Sequence, residues 1–436
     1  LLLAIGAIVL GLLPDRARSY AEGMVQQFDI VIRRARFRGP SPRLCEIGIT
    51  DGRIAVIAER LDARGGTEID AGGNLVTESY VNPRLHLCKV WTLPMMEEQA
   101  LKAYQGEQMA KALAGIELAS KIKEKYAESW IVENARRAVA LAALHGNLHI
   151  RAFADVDSKA RLEGAKALMR VRDEFRGIVD IQVVAFAQDG IVREPGAAEL
   201  MHEAMSLGAD IVGGIPWVEL TNADAAAHVQ ICFDLAEEFD ADVSMLLDDA
   251  GDPDLRTLEM MAVEAINRGW HGRALAHHCR AMSLYPMPYV QRLARILRTA
   301  DVAVVTDPHT GPLHARVREL LAENVRVCLG QDDISDAYYP FGRNDMLEVA
   351  FLASYLLWMM TRHEIGKLYD MITVDAAAAI NLEGFGLSVG APASLVVLDQ
   401  PDEVEALRYH GPPAHVISRG RLLDAAKMRA IVAATA

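Results

Sequence analysis

The chain has 436 residues, 51% of them hydrophobic, and 45 lysines and arginines against 59 acidic residues give a net charge of −14. That balance disfavours a polyanionic partner, and no basic stripe offsets it, so nucleic acid is set aside. The five cysteines (Cys45, Cys88, Cys232, Cys279, Cys328) are scattered and odd in number, which argues against a disulfide framework or a zinc knot and for a reducing cytoplasm.

The run Leu1–Leu13 has the length of a signal-peptide core and is too short to span a bilayer comfortably. The first strand-like run begins just after Met24, so residues 1–23 are expected to lie outside the fold. An export signal or an anchor is the sharper alternative, and no other membrane association is expected. Residues 28–76 hold short β-like runs, Asp29–Ile32, Glu46–Ile49 and Ile54–Ile57, separated by turn signals such as Thr50-Asp51-Gly52. A matching set closes the chain at Ser394–Leu398, Ala414–Ile417 and Gly420–Leu423. Two such pieces can pair into one sandwich around what lies between them.

What lies between alternates. A strand at Leu75–Val81 is followed by helical stretches at Glu97–Lys125 and Ser129–His145, the latter closed by Gly146. Strands then read at Leu148–Phe153, Asp180–Phe186, Asp210–Gly213, Asp242–Leu247, Arg273–Ala276, Val302–Val305 and Val325–Leu329. Helices fall between them, for example Ala197–Ser206, Ala223–Glu238 and Tyr289–Arg298. Eight strands alternating with helices predict a (β/α)8 TIM barrel, an α/β fold, with a small β-sandwich domain built from both chain ends. A doubly wound open sheet is the alternative. The expected parts are 24–77 and 386–436 for the sandwich and 78–385 for the barrel.

In such a barrel the chemistry sits at the carboxyl ends of the strands. The first strand runs into Val81-Asn82-Pro83-Arg84-Leu85-His86-Leu87-Cys88-Lys89. Residues two apart on an extended segment share a face, so Arg84 and His86 point the same way. Two imidazoles so placed would clasp one ion, but arginine cannot ligate a cation. Later strand ends supply Asp155, then Gln188 and Asp189, Trp217 and Glu219, Asp248 and Asp249, His277 and His278, Asp307 and His309, and finally Gln331, Asp332, Asp333 and Asp336. A lone Asp after a strand is usually a helix cap, and a lone His a satisfied polar residue. Their concentration at one end of a barrel suits a divalent ion and acid–base work around it.

These residues carry a resemblance. Phe28–Ile32, Phe186-Ala187-Gln188-Asp189-Gly190-Ile191, Gly208–Pro216, Gly330-Gln331-Asp332-Asp333-Ile334 with Tyr339-Pro340-Phe341-Gly342, and Gly390–Leu398 are similar to segments of the amidohydrolase superfamily, in its cytosine deaminase and N-isopropylammelide amidohydrolase branch. The resemblance covers roughly Phe28 to Leu423. It implies one divalent metal, zinc or iron, held by a His-x-His of strand 1, a strand-5 His and a strand-8 Asp. It further implies an acid after strand 5, a His on strand 6, and a glutamine after strand 3 that contacts a heterocycle. Carried over, His86 and Asp332 match ligands, His278 the strand-6 histidine, Gln188 the substrate glutamine and Asp249 the acid.

Two ligands depart from the pattern: Arg84 and Leu246 stand where histidines are implied. Three readings stay open. A metal is held by His86, Asp332 and a recruited His278 or His277; Arg84 replaces the metal, pairs with Asp332 and binds an anionic substrate; or the site is dead and the fold persists. Cys88 is read as a packed residue rather than a thiolate ligand. Lys89 is read as a structural or substrate-carboxylate contact, with Trp217 and Asp333 as further substrate contacts. The resulting expectation is a metal-dependent hydrolase of a non-peptide C–N bond in a small nitrogen heterocycle. Asp249, His278 and Asp332 are its catalytic residues and His86, His278 and Asp332 hold the metal. The partner is a small molecule, a homo-oligomer is left open, and the different-class alternative is an inactive barrel that binds a small ligand.

Overall fold

The computed structural model describes residues 27–39, 43–95, 102, 109 and 112–434. The apolar run at 1–13 and most of the stretch expected to be helical from Glu97 lie outside them. Period-two alternation builds the first sheet. In β1 (Gln27–Arg36) the apolar positions Phe28, Ile30 and Ile32 are buried while Asp29 between them is exposed. With β2 (Leu44–Thr50), β3 (Arg53–Ala58) and β4 (Arg64–Asp70) it forms a sheet in the order β3-β2-β1-β4.

The apolar run at 75–81 divides between two sheets. β5 (Val76–Glu78) pairs antiparallel with β14 (Leu395–Val397), which is followed by β15 (His415–Ser418) and β16 (Arg421–Leu422). Ile30, Ile47 and Ile49 from one end of the chain share a buried cluster with Leu395, Val397 and Ile417 from the other. After Ser79 the chain enters a different sheet as β6 (Tyr80–Leu85).

That sheet is the barrel: β6, β7 (Asn147–Asp155), β8 (Asp180–Phe186), β9 (Ile211–Gly214), β10 (Asp242–Leu247), β11 (Ala274–His278), β12 (Ala303–Thr306) and β13 (Val327–Leu329), paired in that order and all parallel. β6, β7, β9 and β11 to β13 are buried throughout, as strands covered on both faces must be. Pro83 lies within a register shift between β6 and β7, where its missing N–H is tolerated. The sheet closes just beyond its strands. Leu85 and Asp332 form a parallel bridge, with His86 N–H donating to Asp332 O at 2.8 Å and Asp332 N–H to Arg84 O at 3.1 Å. This seam brings the end of the first strand against the end of the eighth.

The helix Glu128–Leu144 ends at Gly146, whose φ of 77° and close approach to Val396 leave no room for a Cβ. Among the described residues, no helix is long and apolar enough to cross a membrane.

Candidate active site

The strand ends bring Arg84, His86, Gln188, Asp249, His278, Asp332 and Asp333 around one cavity at the carboxyl end of the barrel, together with Lys89 and Tyr338. Its volume is about 20 Å³, room for about one water molecule. Ile116, Ile215 and Leu246 form its apolar walls. His278 and Asp332 sit in left-handed backbone, with φ of 67° and 70°. Residues with a Cβ hold that region only where their surroundings impose it, and such positions cluster at functional sites.

Arg84 is the hub. Its side chain is 1% exposed; Nε donates to Asp332 Oδ1 at 2.8 Å and Nη2 lies 2.7 Å from the same oxygen. Nη2 also lies 3.0 Å from His86 Nε2. Since guanidinium only donates, that ring nitrogen accepts and the proton of a neutral His86 is on Nδ1. Burial, then the charges of Lys89 and Arg84, push the His86 pKa well below its ordinary value, so it is neutral.

A second chain of bonds centres on His278. Its Nδ1 lies 2.9 Å from Asp307 Oδ1, and its Nε2 faces Asp249 Oδ2 at 3.2 Å and Asp332 Oδ2 at 4.0 Å. Burial, then Arg84 and Arg280, hold the imidazole neutral. Burial raises Asp307, but Arg280 and Arg84 outweigh it and leave that carboxyl below its ordinary range. Asp307 therefore accepts from Nδ1–H, and Nε2 carries the free lone pair. Burial pushes Asp249 up to about 7 against the pull of Arg280 and Arg84. Arg280, two residues past His278, places Nε 3.3 Å from Asp249 Oδ1 and Nη2 3.7 Å from both Asp307 Oδ1 and Asp332 Oδ2.

On another wall of the cavity, Lys89 Nζ donates to Gln188 Oε1 at 2.9 Å and lies 4.6 Å from the centre of the Tyr338 ring. Gln188 Nε2 donates to the Tyr338 hydroxyl at 3.0 Å. Burial and the nearby Asp332 and Asp336 push Asp333 well above the carboxylate range.

Other residues lie elsewhere. Trp217 is not among the cavity's lining residues; it belongs to the same apolar cluster as Ile116, Ile215 and Leu246, which are. His277 points into the barrel, 2.7 Å from Ser244 Oγ and edge-on to Phe153. Cys88 is buried, accepts from Asp155 N–H at 3.3 Å, and its thiol is pushed up by burial. Arg280 and Tyr338 were not anticipated, and Asp307 was noted only for its place after strand 7. Neither Arg280 nor Tyr338 carried a readable signal: the chain is left-handed at His278 and Cys279, so strand spacing does not place Arg280, and Tyr338 reaches the cavity on a long loop with no periodicity.

A sequence model of the Amidohydrolase family matches residues 67–424. The chain belongs to the amidohydrolase family. This places it among hydrolases of carbon–nitrogen bonds other than peptide bonds. It is 28% identical over 413 residues to N-isopropylammelide isopropyl amidohydrolase of Pseudomonas sp. (strain ADP), covering 92% of this chain and 98% of that one. Among solved structures it is similar to 5-methylcytosine deaminase from Klebsiella pneumoniae liganded with 5-fluorocytosine, at a TM-score of 0.83 and 28% identity over 90% of this chain and 97% of that one. N-isopropylammelide isopropylaminohydrolase from Burkholderia multivorans shares the fold at a TM-score of 0.78 and 24% identity, over 90% and 97% of the two chains.

Amidohydrolases typically bind a divalent metal, and two buried groups here lie within ligating distance of one another: His86, Asp332 and Asp333, and His278, Asp307 and Asp332. Each has a guanidinium against its donors. Arg84 Nη2 bonds to both His86 and Asp332, and Arg280 Nη2 is equidistant from Asp307 and Asp332. In this arrangement the first group does not fit an ion, and in the second His278 Nδ1 and Asp307 Oδ1 are taken up by their own bond at 2.9 Å.

Proposed function

We propose that this amidohydrolase hydrolyses an exocyclic C–N bond of a small nitrogen heterocycle, of the aminopyrimidine or alkylamino-triazine kind. The observation that carries the reading is the pairing of His278 Nε2 with Asp249 Oδ2 at 3.2 Å on the wall of the cavity. A neutral imidazole whose other nitrogen is fixed by Asp307, beside a carboxyl near pH 7, is a proton relay poised at working pH. The relatives' names supply the substrate class.

Ile116, Ile215 and Leu246 offer flat apolar contact to a ring, and the Gln188 amide offers a donor and an acceptor to its edge. The cavity is small for a ring, so entry requires Lys89 and Gln188, both long side chains, to shift. His278 Nε2 takes a proton from water as the water oxygen bonds to the ring carbon bearing the amine. Negative charge gathered on the ring faces the guanidinium of Arg84, which lines the cavity, while Arg280 lies behind Asp249. The proton passes to the departing nitrogen, with Asp249 as the intermediate carrier. The C–N bond breaks, leaving a ring carbonyl and ammonia or an alkylamine. Asp332 positions Arg84 rather than reacting.

All five cysteines are unpaired, which supports a reducing, cytoplasmic setting. A second reading, a barrel that binds a small anionic ligand without turning it over, is favoured by the same buried Arg84 guanidinium. Ammonia and alkylamine release from a panel of aminopyrimidines and N-alkylamino-triazines separates the two. Turnover that His278→Ala abolishes supports the enzyme. Binding of an anionic ring with no release from any panel member supports the second reading.

A further inference from the structure

His86 and Asp332 are the two donors that this chain keeps from the ligand set implied by its family resemblance. The atoms that would converge on an ion, His86 Nε2 and Asp332 Oδ1, are 3.8 Å apart. They converge instead on Arg84 Nη2, at 3.0 and 2.7 Å. An ion bound by both would need contacts near 2.0–2.2 Å, and the space is taken by the nitrogen. The guanidinium has little freedom to leave. Its stem is packed so closely on Gly330 that a Cβ there would lie 3.0 Å from Arg84 Cβ, and its far end is buried beside Phe153.

Charge balance points the same way. Asp332 and Asp307 are each faced by Arg84 and Arg280, so two carboxylates meet two fixed cations with no ion required. Arginine does not release its proton in proteins, so a change of pH does not open the position.

We propose that Arg84 is a built-in replacement for the metal ion: its guanidinium occupies the ion's position between His86 and Asp332 and keeps divalent cations out. The ligand chemistry changes accordingly. Arg84 Nη1 is buried and has no hydrogen-bond partner among the described residues. It is a donor for a carbonyl or carboxylate oxygen, where an ion would be a Lewis acid. This inference stands whether or not the heterocycle reading does, because its readout is metal and not turnover.

The test uses the full chain produced in zinc-supplemented medium. Elemental analysis, titration calorimetry with zinc chloride, and melting with and without a chelator are run on the parent and on Arg84→His. That variant removes the cation and places an imidazole two residues before His86. The parent is expected to carry far less than one ion per chain and to melt at the same temperature with chelator, and the variant to bind zinc at least roughly tenfold more tightly. Should Arg84→His not fold, Arg84→Met, which also frees both donors, is read in the same way. Stoichiometric zinc or iron in the parent, lost to chelator with a fall in melting temperature, overturns the proposal. So does equal zinc affinity in the parent and a folded variant.

Discussion

Removing one member of the Arg84–Asp332 pair strands the other's charge, and the cost can be worked from the geometry. With about 4 Å between charge centres and an effective dielectric of about 20, the attraction is about 4 kcal/mol. The side chains are 1% and 3% exposed, so solvent restores little of it. Truncating one member of a buried pair typically costs about 3–5 kcal/mol. Arg280 Nη2 remains 3.7 Å from Asp332 Oδ2, which puts Arg84→Met at the lower end, about 3 kcal/mol. Asp332→Asn leaves Arg84 with Asp307 3.9 Å away and is expected to cost about 3–4 kcal/mol. The double variant strands neither charge, so its loss should fall short of the sum by about 3 kcal/mol. Urea denaturation of the four proteins, followed by tryptophan fluorescence at unchanged m, measures this coupling. Additivity within about 0.5 kcal/mol would refute a buried pair, and with it the placement of the guanidinium between Asp332 and His86.

Asp249 should make stability depend on pH. Its folded pKa, about 7, lies above the ordinary 3.8, so its contribution is fully present below pH 3.8 and is lost as pH rises through 7. Asp249→Asn should therefore gain on the parent by about 4 kcal/mol between pH 4 and pH 8 in urea denaturation; a constant difference contradicts the raised pKa. His278→Ala should lower kcat by about 10²–10⁴-fold with its fold intact by circular dichroism, and an unchanged kcat removes it from the relay. Gln188→Leu should cost about 10–100-fold in kcat/KM for the preferred heterocycle, and an equal loss on every ring tested would mean that it reads no edge. Gly330→Ala puts a methyl 3.0 Å from Arg84 Cβ on a fixed strand and should destabilise by about 1–3 kcal/mol, whereas a neutral result would show that the stem has room to move.

The barrel was legible because its eight strands are short apolar runs at regular spacing, each followed by a helical pattern. The split of the 75–81 run was not. Thr77-Glu78-Ser79 is too short a polar break to signal a change of sheet, which shows only in the bonds: Ser79 N–H goes to Ser394 O, across the chain ends, and Tyr80 N–H to Gly146 O beside the barrel. The apolar run ends at Val81, yet the first barrel strand continues to Leu85, with Pro83 accommodated by the irregular register beside β7. At the site, the strand-end positions named most of the cavity, including the shared face of Arg84 and His86. What the sequence could not carry was side-chain reach: whether Arg84 folds inward over Asp332 or out to solvent depends on packing by Phe153 and Gly330 from other strands. Trp217 is a strand-end residue that does not line the cavity and joins the apolar cluster beside it.

The most direct measurement of the proposed chemistry is turnover in ¹⁸O-labelled water with mass analysis of the ring product, in the presence of chelator, for the parent and His278→Ala. The expected result is one labelled oxygen per turnover on the carbon that lost its amine, with the parent unaffected by chelator and His278→Ala slowed by about 10²–10⁴-fold. A product without label, or one formed as fast by the variant, would contradict hydrolysis by water activated at His278.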